Sequence, residues 1–109
     1  MPWLVRDDVV LASLEVAAGR AARAKGLLGR DGLDGAILLR PCRSVHSFRM
    51  RFPIDVAFLD ADMTVVRTSR LVPNRVTPPC WSARAVVEAE AGSFASWGLN
   101  IGDQLEVRG

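Results

Sequence analysis

The chain has 109 residues, half of them apolar and 24% charged, with a formal net charge of +2. That length corresponds to one domain, residues 1–109, large enough to bury a core without disulfide or metal staples. The composition excludes a disordered or low-complexity chain, and no apolar run approaches the ~20 residues needed to span a bilayer, so no membrane insertion is expected.

The opening "MPWLVRDDVV" lacks the basic and then apolar stretch of a secretory signal, so a cytoplasmic location is expected. Cys42 and Cys80 are then expected as thiols, and neither belongs to a CxxC pair that would hold zinc. "WLV" (3–5) and "VVLASLEV" (9–16) read as strands joined by a turn at Arg6-Asp7-Asp8. In residues 17–30, Ala17, Ala21, Ala24 and Leu28 recur at helical spacing, and alanine is the best helix former, so a helix is expected there. Gly29 and Asp31-Gly32 supply its stop. "GAILLR" (35–40) reads as a buried strand ended by Pro41.

Residues 46–59 alternate for longer than any other stretch. His46, Phe48, Met50, Phe52, Ile54, Val56 and Phe58 share one face of an expected strand, with Ser47, Arg49, Arg51, Pro53 and Asp55 on the other. Pro53 removes a ladder donor and marks a break or an edge. "DADM" (60–63) turns into "TVVRTSRLV" (64–72), which completes a hairpin. The irregular "PNRVTPPCW" (73–81) follows, then a strand at 83–90, at most one helical turn in "GSFASWG" (92–98), and a last strand at 104–108. The expected fold is mostly β: a single-domain β-sandwich or small barrel of about seven or eight short strands with one α-helix.

Three segments, "GLLGRDGLDGAILL", "SVHSFRMRFPIDVAFLDAD" and "VVEAEAGSFASWGLNIGDQL", occur in that order. Through them the chain resembles the uncharacterised family catalogued as domain of unknown function 192, over roughly residues 10 to 108. The resemblance implies a compact β-rich domain and brings no established activity, cofactor or catalytic residue. Its motif positions here include Gly29, His46, Met50, Pro53, Asp55, Glu88, Gly92, Gly98, Gly102 and Asp103.

Several residue sets carry chemistry. Cys42, His46 and Met50 have ligand atoms that suit copper, but four residues of strand span ~13 Å, so ligands at i and i+4 cannot share an ion; no metal and no cofactor are expected. His46 could serve as a general base, with Cys42 or Cys80 as nucleophile; the plainer reading is a histidine tied to a carbonyl at a strand end. Asp55, Glu88 and Asp103 could supply paired carboxylates, whereas a carboxylate among arginines more often fixes a turn. Trp81 is read as a lid over an open end, with a contact surface as the alternative.

The arginines give the sharpest pattern. No acidic residue falls between Asp34 and Asp55, or between Asp62 and Glu88. If these two segments adjoin, one side of the fold is basic and attracts phosphate or carboxylate. The phenylalanines read as buried and tyrosine is absent, so stacking platforms for nucleic acid are scarce. The expected function is a small binding or interaction module with a basic pocket for a small anion or acidic peptide. Its expected site is His46, Arg49, Arg51 and Asp55, near the 73–81 loop. The alternative is an enzyme using His46 with a cysteine or carboxylate, or a metal-binding protein.

Overall fold

The computed structural model describes residues 2–18, 32–48 and 50–109. Its elements in chain order are β1 (Trp3–Arg6), β2 (Val9–Ala18), β3 (Ala36–Arg40), β4 (Ile54–Leu59), β5 (Val65–Leu71), β6 (Ala85–Glu90), α1 (Ser93–Trp97) and β7 (Glu106–Arg108). The mostly β architecture with seven short strands agrees with the sequence. The helix expected over 17–30 lies outside the described residues, except that Ala17 and Ala18 close β2. The five-residue α1 is the one turn read in "GSFASWG".

The strands form one sheet in the order β5-β4-β6-β3-β2-β1-β7. Every pairing is antiparallel except β2 with β3. The β1–β2 hairpin turns on Asp7 and Asp8, both at positive φ, as a two-residue loop between right-twisted strands demands. The sheet curls until its two ends meet at one point. Thr64, just before β5, bridges Gln104, just before β7. Val65 N–H donates to Asp103 O at 2.8 Å, and Leu105 N–H to Met63 O at 2.9 Å. No ladder joins β5 to β7 along their length, so the sheet is not closed into a barrel.

The curl gives the sheet two apolar faces. On the concave face, Leu4, Leu14, Leu38, Leu59, Val65, Val87, Phe94 and Leu105 form one cluster drawn from both ends of the strand order. On the convex face, Ile37, Leu39, Ile54, Val56, Phe58 and Val86 are covered by Leu33, Val45, Met50, Phe52, Cys80 and Ala83. The interior strand β4 is therefore buried at all six positions, and both of its side-chain parities are core.

The expected strand over 46–59 is shorter in the structure. Only Ile54–Leu59 is strand, and the chain turns before Pro53, where Met50 N–H donates to Ser47 O at 3.1 Å. Met50, Phe52, Ile54, Val56 and Phe58 are buried as their parity predicts, but Phe48 is 48% exposed because that turn carries it outward. Residues 42–47 instead zip against 74–84. Cys42 N–H donates to Arg84 O, Cys80 N–H to Arg43 O, and Thr77 N–H to Val45 O, at 2.8–3.1 Å. Ser47 is wholly buried at the far end; its Oγ donates to Val72 O at 2.6 Å and accepts from Arg75 N–H at 2.8 Å. Val45, Ser47 and Thr77 face inward, and His46 and Val76 face out.

Candidate functional site

The expected site residues lie on opposite sides of the sheet. His46 belongs to the outer ribbon, exposed, its ring stacked on Phe48 with centroids 5.2 Å apart. Its Nδ1 accepts the Phe48 amide at 3.3 Å, a local bond of the kind that ties a histidine to its own backbone. Arg51 is exposed in the same layer, and Arg49 lies outside the described residues. Asp55 is buried on the concave side. Its Oδ2 accepts the Gly92 and Phe94 amides at 3.0 and 3.1 Å, and its Oδ1 accepts Arg70 Nε at 3.0 Å. The carboxylate is a clamp that holds the start of α1 to β4. Among the described residues, no group of three His, Cys, Asp or Glu is placed to hold a metal ion.

The other motif carboxylates divide in role. Asp103 Oδ2 accepts Arg6 Nη1 at 3.0 Å and the Asn100 amide at 2.9 Å, which fixes the Gly102-Asp103 turn. Glu88 sits on the convex face between Ile37 of β3 and Val56 of β4, and is 3% exposed. Burial alone pushes its carboxyl up to about 7, because desolvation penalises the charged form. Asp55, Glu88 and Asp103 thus do not converge as an acid–base pair: two are structural clamps and the third is a separate buried acid.

The ribbon does join parts of the two acid-free segments, and it brings Arg43 beside Arg84. Arg43 Nε and Arg84 Nη1 both donate to the carbonyl oxygen of Ala83, at 3.2 and 3.4 Å. The Ala83 carbonyl can accept both because the ribbon bonds of Cys42 and Cys80 fix the two arginine backbones on either side of it. Neither guanidinium has a carboxylate partner among the described residues. Two like charges thus converge on one neutral acceptor, each with most of its N–H fork still available.

Both arginines line a depression of about 450 Å³ together with Pro41, Cys42, Ser44, Pro79, Trp81 and Ala83, and among the described residues no acidic side chain lines it. The Cys42 thiol donates to Ser44 O at 3.2 Å, and Cys80 is buried beneath. Trp81 is 75% exposed, so it is no lid. Alternation and motif spacing did not single out Arg43 and Arg84. The signal that reaches them is the absence of acids from both segments.

Comparison with known proteins places the chain in a family. The family model described as an uncharacterized ACR, DUF192, matches residues 4–107. An UPF0127 protein of Pyrococcus abyssi is 32% identical over 98 residues, covering 85% of this chain and 84% of its own length. An UPF0127 protein of Pyrococcus horikoshii is 30% identical over 98 residues, covering 85% of each chain. A crystal structure of a protein of unknown function from Novosphingobium aromaticivorans superposes with a TM-score of 0.83 at 23% identity, over 96% of this chain and 82% of that one, and so shares the fold. Among the described residues no helix is long and apolar enough to cross a membrane. The chain belongs to the DUF192 family, whose function is uncharacterised.

Proposed function

We propose that the chain is a cytoplasmic small-anion binding module whose anion is held by Arg43 and Arg84. The observation that carries this reading is the convergence of two guanidinium groups on the single Ala83 carbonyl, without a carboxylate partner among the described residues. Repulsion between the two cations is relieved when a phosphate or carboxylate accepts from both forks, and such charge-assisted bonds are about twice as strong as neutral ones. The site sits on a rigid ribbon, so little ordering cost attends binding. It lies away from Asp55, whose oxygens are engaged by Arg70 and α1.

The enzyme alternative has less support. His46 Nδ1 is held by its own loop, and among the described residues neither thiol nor any carboxylate hydrogen-bonds to the ring. Calorimetric titration with inorganic pyrophosphate tests the anion reading. Binding that weakens with added salt, and weakens at least tenfold in an Arg43→Gln/Arg84→Gln double variant, is expected. Affinity unchanged in that variant overturns the site, and no heat with wild type overturns the reading.

A further inference from the structure

We infer that the anion taken by Arg43 and Arg84 carries a planar ring, as a nucleoside diphosphate does, and that the ring stacks on Trp81. The inference rests on the anion-binding reading and adds the class of ligand. The first argument is size. The depression of about 450 Å³ falls within the ~300–1,000 Å³ of small-molecule sites and is far larger than a bare phosphate group. The remainder leaves room for an apolar group beside the anion.

The second argument is the chemistry of that remainder. Its walls are the indole of Trp81 and the rings of Pro41 and Pro79, and it is bordered by the two arginines. Trp81 leaves 75% of its surface in water, on a chain that buries its other aromatic rings far better, apart from Phe48 and Trp3. An indole held in water beside two cations offers a stacking face at one side of a site and N–H forks at the other. Tryptophan and arginine together are what recognition of a ring joined to a phosphate requires. Stacking accepts any base, because every base has a π-face. Among the described residues no acidic side chain lines the depression, so its described lining does not repel a diphosphate. The arrangement therefore specifies a ring-bearing anion without naming the base.

The ribbon supports this geometry from below. Cys80 N–H donates to Arg43 O at 2.8 Å and Ala83 N–H to Cys80 O at 3.0 Å, so the backbone on both sides of Trp81 is tied to the backbone of Arg43. The backbone spacing between Trp81 and Arg43 is thus set by the fold.

The test compares three probes by calorimetry: ADP, inorganic pyrophosphate and adenosine. Wild type is expected to bind ADP at least tenfold more tightly than pyrophosphate, equivalent to about 1.4 kcal/mol. That advantage should vanish in Trp81→Ala, return in Trp81→Phe, and leave pyrophosphate binding unchanged in both. The exposed position of Trp81 lets the variants fold, which a thermal melt verifies. Equal affinity for ADP and pyrophosphate, both lost in Arg43→Gln/Arg84→Gln, overturns the ring and leaves the anion site standing. An ADP advantage that survives Trp81→Ala overturns the stacking role. Binding of neither ADP nor pyrophosphate overturns both readings.

Discussion

The Oδ2 atom of Asp55 lies 3.1 Å from the amide nitrogen of Phe94 and 3.0 Å from that of Gly92. A carboxylate on an interior strand thereby caps a helix 37 residues later in sequence. Gly92 sits at φ 99°, a left-handed conformation that aims its amide at the strand and that glycine adopts without strain. Asp55→Ala leaves two amides, one of them buried, without an acceptor. A loss of about 2–4 kcal/mol is expected from the missing cap and the unsatisfied donors. Asp55→Asn keeps one acceptor oxygen and should lose less. Urea denaturation of the two variants orders them, and equal midpoints for Asp55→Ala and wild type would overturn the clamp.

Glu88 makes stability depend on pH. Its folded pKa is raised from 4.5 to about 7, so the folded state holds the proton more tightly than the unfolded state does. Below pH 4.5 both states are protonated and Glu88 costs nothing extra. As pH rises from there, the unfolded state ionises first and stability falls, until the folded state also ionises near pH 7. The total loss across that window is about 3 kcal/mol. Glu88→Gln cannot ionise, so its stability should exceed wild type by a margin that grows from pH 4.5 to pH 7 and then levels. Denaturant unfolding at pH 5 and pH 8 measures the difference. Parallel pH profiles for the two proteins would show that Glu88 is not the group responsible.

The strands were legible because alternation and turn residues are local signals. "WLV" and "VVLASLEV" with Asp7-Asp8 between them became β1 and β2, and "DADM" became the β4–β5 turn, where Asp60 Oδ1 accepts the Asp62 and Thr64 amides. Phe48 shows where alternation stops informing. Its parity matches Met50 and Phe58, but one turn at Ser47 moves it from the core to a stack on His46. The separation of His46 from Asp55 was not legible either, because it is the folded sheet that intervenes between the ribbon and the concave face. The meeting of Arg43 and Arg84 needed two segments to be zipped together, and no single window of sequence contains a β-bridge such as His46 to Val76. What could be read was the condition: if those acid-free segments adjoined, one side would be basic.

Phe58 and Phe48 together test the register. Phe58 is fully buried and Arg67 lies over its ring, with Cζ 4.2 Å from the centroid. Phe58→Ala removes a large core side chain and a cation–π partner, and should cost about 3–5 kcal/mol. Phe48→Ala, at a position 48% exposed, should stay within about 1 kcal/mol of wild type. Thermal melts of both variants compare the positions directly. A reversed order would place the ring of Phe48 inside and return the chain to one continuous strand over 46–59.

Arg6 joins three elements that are remote in sequence. Its Nη2 donates to Trp97 O at 2.7 Å, and its Nη1 donates to Gly98 O and Asp103 Oδ2, both at 3.0 Å. These bonds give donors to the Trp97 and Gly98 carbonyls at the end of α1, beyond those that the Gly98 amide caps, and fasten β1 to the turn before β7. The pair is partly buried, with side chains 22% and 26% exposed, so solvent screens it incompletely. Arg6→Gln and Asp103→Asn should each cost about 1–3 kcal/mol through lost charge-assisted bonds. Because Arg6 also binds two carbonyls and Asp103 also binds the Asn100 amide, neither single loss measures the pair. A double-mutant cycle isolates it, and a coupling of about 1 kcal/mol is expected that shrinks only modestly in high salt. The surface pair Arg108–Glu106, at 2.8 Å, serves as the comparison, with both partners about half exposed and a coupling expected to be smaller and more easily screened by salt. Additive losses at Arg6 and Asp103 would mean that the ion pair does not fasten β1 to the turn before β7.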